Sequence, residues 1–121
     1  MFIRDRRRHQ RFRCTGQAEV LLATDTPRIA ARVVNVSKCG CLIELRKAQN
    51  LDQDATVELT FTVNRLFFRV RVLAKAIRSD TMVGFQFDTL SERVRGQLEE
   101  LIEELSDNWL MSHLSAPTVR L

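Results

Sequence analysis

Between Thr56 and Ile77 the sequence leaves the chain little conformational choice. From Thr56 to Val63 (TVELTFTV) apolar and polar side chains alternate without a break: Val57, Leu59, Phe61 and Val63 share one face, and Thr56, Glu58, Thr60 and Thr62 the other. A two-residue period of this kind marks a half-buried strand. Leu66 to Ile77 (LFFRVRVLAKAI) repeats it, with Val70, Val72, Ala74 and Ala76 facing one way and Arg69, Arg71, Leu73 and Lys75 the other. Only Asn64 and Arg65 lie between the two runs. That is the length of a tight hairpin loop, although Asn-Arg is a weaker turn signal than Asn-Gly. A hairpin alone is marginal in water, so its apolar face must be covered by the rest of the chain.

The remaining segments supply that cover. Gln17 to Ala23, Arg28 to Val36, Cys41 to Leu45 and Met82 to Phe87 each read as short strands, separated by turn-forming residues such as Asp25 and Pro27 and by the polar stretch Arg46 to Ala55. At Glu92 the period changes. Val94, Leu98, Leu101, Ile102, Leu105 and Trp109 recur at helical spacing, with Ser91 placed to cap the first turn and Ser115-Ala116-Pro117 to end the last. The expected fold is all-β with a C-terminal helix: a six-stranded antiparallel β-barrel over residues 17–90, one long helix over 91–114, an arm over 1–16 and a tail over 115–121.

A chain of 121 residues is one domain. Its net charge of +4 is unevenly placed: residues 1–13 hold six arginines against one aspartate, and the other 108 hold 13 Lys+Arg against 14 Asp+Glu. The basic character therefore belongs to the N-terminal arm, which suits a polyanionic partner. No apolar run approaches the ~20 residues of a membrane span, and the arm is not followed by the apolar segment of a secretory signal. A cytoplasmic chain is expected. Cys14, Cys39 and Cys41 have neither C-x-x-C spacing nor a nearby histidine pair, so they read as small apolar residues, with neither a metal site nor a disulfide framework implied. There is no Tyr, only two His, and no nucleophile, zinc or phosphate-loop motif, so no catalytic residue is assigned.

Two stretches remain that a barrel alone does not require. The arm carries Arg7 and Arg11 in an R-x-x-x-R frame, and Asn35 to Gly40 reads N-x-S-x-x-G where one strand ends and the next begins. Together, and in this order on an all-β pattern, they resemble the two motifs of PilZ domains, bacterial receptors for cyclic di-GMP; Gly84 to Phe87 also fits the G-x-x-F ending common in that family. The resemblance covers about residues 4 to 90 and implies a six-stranded barrel that binds the dinucleotide. The residue chemistry agrees with it. A guanidinium pairs bidentately with phosphate oxygens and with guanine O6 and N7, and it stacks on bases. Arg7 and Arg11 can thus grip one ligand from two sides, with Arg6 or Arg8 over a base. Asn35 can offer its side-chain carbonyl to guanine donors, and Ser37 a hydroxyl to phosphate or backbone. Gly40 is expected either at positive φ or where the ligand approaches the main chain.

Two departures from the family pattern stand out. Many members have Asp where this chain has Asn35, which removes a charge and an acceptor and puts affinity in question. Some place an aromatic residue near the end of the fifth strand, where this chain reads Ala74-Lys75-Ala76-Ile77-Arg78, leaving Lys75 or Arg78 as substitute contacts. The expected partners are cyclic di-GMP, an effector protein that receives the signal, and a second copy of the chain through the C-terminal helix. Two other readings stay open at this point: a nucleotide-independent protein-interaction adaptor of the same fold, and an RNA- or DNA-binding module that uses the arginine arm.

Overall fold

A computed structural model of the chain describes residues 10–23 and 26–115, of which 112–115 are described as helix backbone. Six strands, β1 (Phe12–Leu21), β2 (Ile29–Val36), β3 (Gly40–Leu45), β4 (Thr56–Val63), β5 (Leu66–Ile77) and β6 (Met82–Phe87), precede one helix, α1 (Glu92–Ser115). The strands close into an antiparallel barrel in the order β1-β2-β3-β6-β5-β4, so no sheet edge is left open over the paired length.

The alternation read in β4 and β5 is what fills the interior. Val57, Leu59, Phe61 and Val63 point inward with Phe68, Val70, Val72 and Ala74, and Phe61 stacks on Phe68 at a ring-centroid distance of 4.7 Å. Val63 pairs with Leu66, so Asn64 and Arg65 form the two-residue loop, both with positive φ (51° and 70°). This is the mirror-image turn whose twist matches a right-handed hairpin, built here without glycine.

Three register shifts depart from the simple alternation, in β1, in β5 and, between Val33 and Asn35, in β2. β1 begins at Phe12, five residues before the expected Gln17, because a register shift between Arg13 and Gly16 interrupts its period. In β5 a shift between Ala74 and Ala76 leaves Lys75 as the extra residue. Ala76, expected on the inner face with Val72 and Ala74, is exposed and lies opposite Gly84 on the outside.

The two ends of the barrel are closed differently. Across the β1-start end lies α1, whose Leu98, Leu101, Ile102 and Leu105 join the same core cluster as Phe12, Val36 and Phe87. Asn64 Nδ2 donates to Glu104 Oε1 (3.2 Å), tying the β4–β5 loop to the helix. Ser91 caps the helix as expected, its Oγ accepting from the Val94 amide at 3.2 Å. Past Leu105 the helix leaves the core, and Trp109, Leu110 and Met111 are exposed. At the opposite end the chain from Arg46 to Ala55 crosses from β3 to β4, held by Gln49 N to Asp80 O and Asp54 N to Ala74 O, with Leu51 packed on the core.

Candidate functional site

The turn between β2 and β3 is organised by Ser37. Its amide donates to the Gly40 carbonyl (2.8 Å), while its hydroxyl accepts from the Cys39 amide (3.2 Å) and donates to the Gly40 carbonyl (3.4 Å). The side chain is 2% exposed. Of the two uses expected for this hydroxyl, phosphate or backbone, the structure displays the backbone one: Ser37 is the staple of the turn. Gly40 does not have positive φ. The positive φ expected of this glycine is therefore corrected: a Cβ there would stand 2.2 Å from the Phe85 carbonyl oxygen, so the close approach that the structure displays is that of the β6 main chain.

Asn35 lies just before this turn, on the outer face. A register shift between Val33 and Asn35 places it opposite Leu42 of β3 and Arg13 of β1. Its Oδ1 is buried and has no hydrogen-bond partner among the described residues. Leaving such an acceptor unpaired costs about 1–3 kcal/mol, which makes it a feature that requires a reason. Glu58 Oε1 also lacks a hydrogen bond, but Arg28 Nη1 stands 3.7 Å from it.

Arg11, half-buried, immediately precedes β1. Since Phe12 pairs with Val36, Arg11 enters the barrel beside Ser37. Its charge is felt at the buried Cys41 thiol, where it opposes the upward shift that burial and Cys14 impose. Burial also pushes the Cys14 thiol up to about 11. Arg6, Arg7 and Arg8 fall outside the described residues.

From Asn35 the pairing runs outward along one row: Arg13, Asn35, Leu42, Gly84, Ala76. Ala76 is three strands from Asn35, about 14 Å at the usual strand spacing. Lys75, in the bulge beside Ala76, holds Asp54 Oδ1 at 2.6 Å, an exposed pair worth under about 1 kcal/mol. Arg78 lies beyond the end of β5, its amide bonded to Met82 O at 3.0 Å. The structure thus brings Arg11, Asn35, Ser37 and Gly40 together and sets Lys75 and Arg78 across the sheet, toward the opposite barrel end. Arg13, expected within the arm, lies on the outside of β1, one residue after buried Phe12.

Among the described residues no group of three His, Cys, Asp or Glu is placed to hold a metal ion, and no helix is long and apolar enough to cross a membrane.

A family model described as PilZ domain matches residues 5–104. Among solved structures, the PilZ domain of YcgR from Escherichia coli with c-di-GMP is similar at TM-score 0.68 and 17% identity, over 90% of this chain and 98% of that one. YcgR from Escherichia coli in complex with c-di-GMP is similar at TM-score 0.74 and 20% identity, over 95% and 51%. The K. pneumonia MrkH–c-di-GMP complex is similar at TM-score 0.72 and 16% identity, over 92% and 55%. The chain therefore spans about half the length of those two larger proteins. No curated protein matches the sequence.

Proposed function

The chain belongs to the PilZ domain family, and from that premise we propose that it is a receptor for cyclic di-GMP in which the arginine arm closes over ligand on the barrel face. The observation that carries this reading is the buried, unpartnered Oδ1 of Asn35, set beside Arg11 and the Ser37 turn. A guanine offers N–H donors to such an acceptor, and the phosphates of the same ligand offer oxygens to arginine. One molecule satisfies both needs.

In the proposed mechanism Arg7 and Arg11 take the phosphates or guanine O6 and N7, with Arg6 or Arg8 stacked over a base. Ser37 and Gly40 hold the turn so that Asn35 faces the ligand. Lys75 and Arg78 are contacts of second rank, reached only by a ligand that extends along the Leu42, Gly84, Ala76 row. The arm then presents a new surface beside α1, and an effector protein that prefers this surface receives the signal. This is a receptor's chemistry, a binding equilibrium without a covalent step.

Calorimetric titration of cyclic di-GMP into the protein and into Arg7→Ala, with GTP and a short RNA as controls, tests the reading. Selective binding at micromolar concentration or tighter, lost in Arg7→Ala, supports it. Absence of binding, or equal binding of RNA, overturns it.

A further inference from the structure

Arg13 has the features of a ligand contact that the arginine arm and the N-x-S-x-x-G turn do not account for. It follows buried Phe12 at the start of β1, is exposed, and pairs in register with Asn35, so the two side chains share the outer face. On the other side β1 pairs with β4 only from Gln17 onward. Arg13 therefore stands on a stretch of strand with a neighbour on one side alone.

What sets Arg13 apart is its neighbour rather than its lack of an ion pair: on the outer face Arg32, Arg69 and Lys75 each hold a carboxylate, Glu44, Glu58 and Asp54, while exposed Arg71 of β5 holds none among the described residues. Arg13 has no ion pair or hydrogen bond among the described residues, and the side chain facing it across β2 is the neutral Asn35. An uncompensated guanidinium next to an unpartnered buried acceptor calls for one ligand with an anionic group and N–H donors side by side. A guanine nucleotide phosphodiester carries both.

We infer that Arg13 is a third ligand-binding arginine, donating to a phosphate while the adjacent Asn35 accepts from the guanine. This rests on the receptor reading above and adds a residue to it. The planar fork engages two phosphate oxygens at once, which an ammonium does not reproduce.

The test is titration of cyclic di-GMP into wild type, Arg13→Ala, Arg13→Lys and Arg32→Ala, with thermal unfolding of each variant alongside. Arg13 is exposed, so its variants are expected to melt with the wild type. Removing a charge-assisted hydrogen bond predicts a roughly tenfold or greater loss of affinity in Arg13→Ala, partial recovery in Arg13→Lys, and Arg32→Ala within about twofold of wild type. Arg13→Ala binding as wild type does, while Arg7→Ala loses the ligand, overturns the inference and leaves the receptor reading standing. Equal losses in Arg13→Ala and Arg32→Ala also overturn it, because they show a general field rather than a contact. If wild type takes no cyclic di-GMP, the receptor reading fails and this assignment with it.

Discussion

Asn35 is expected to trade stability for binding. Its Oδ1 is desolvated without a partner in the free protein, so Asn35→Ala removes an uncompensated polar group along with some packing. The variant is predicted to be within about 1 kcal/mol of wild type in urea unfolding, or more stable, while its affinity for cyclic di-GMP falls tenfold or more. A loss of several kcal/mol in the free variant would mean that the side chain supports the barrel and is not held in reserve. The cysteines make a separate prediction. Burial raises the Cys14 thiol to about 11 and the Cys41 thiol further, from an ordinary value of about 9. The folded protein then keeps protons that the unfolded chain releases, so stability is fully present below about pH 9 and declines as pH rises toward 11. The buried Cys41 alone contributes a slope of about 1.4 kcal/mol per pH unit above its unfolded value. Melting temperatures from pH 8 to 11 check this, and Cys41→Ala should flatten the decline. Exposed Cys39 should react with iodoacetamide in the native protein, and the other two thiols only after unfolding.

At the scale of elements, legibility followed the regularity of the strands. β4 and β5 have the bounds expected of them because alternation runs unbroken through β4 and through β5 as far as Ala74, and α1 starts where Ser91 offers a cap. What the sequence concealed were the bulges. Arg13 to Gly16 breaks the period of β1, so FRCTG reads as arm when it is strand; the extra residue at Lys75 turns Ala76 to the outside. A bulge has no compositional signature strong enough to be seen without its partner strand. The backbone use of Ser37 was legible, and the reason for Gly40 was not. Ser37 staples its own turn, and Gly40 makes room for the Phe85 carbonyl, a contact made by a residue 45 positions away in sequence. Gly40→Ala is accordingly predicted to unfold the chain or to cost several kcal/mol, since the clash is with backbone that cannot rotate aside. The β4–β5 turn offers the opposite. Arg65 holds a φ of 70°, a left-handed conformation that costs a residue with a Cβ about 1 kcal/mol. Arg65→Gly supplies the Asn-Gly pair the turn prefers and should raise stability by about that amount in chemical denaturation.

For the molecule as a whole, the receptor reading predicts a ligand-dependent melting temperature. A ligand that binds only the folded chain adds about 2.7 kcal/mol at a hundredfold excess over its Kd, and the shift should shrink as salt rises, since arginine carries the contact. The exposed Trp109, Leu110 and Met111 bear on the homodimer expected through α1. If that helix joins two copies, Leu110→Glu should halve the mass seen by light scattering, and if the protein is already monomeric the helix end belongs to another partner or to none. The geometry of the helix also has a consequence for affinity. Gln10, Phe12 and Lys38 line one groove with Glu99, Glu103 and Asp107 of α1, so the root of the arm and the tip of the β2–β3 turn adjoin the helix. A partner seated on that part of α1 and favouring the closed arm must, by reciprocity, tighten the dinucleotide by the same factor that the dinucleotide tightens the partner. On the receptor reading, the affinity measured on the isolated chain is then a lower limit, and the dinucleotide concentration at which such a receptor responds is set jointly with its partner.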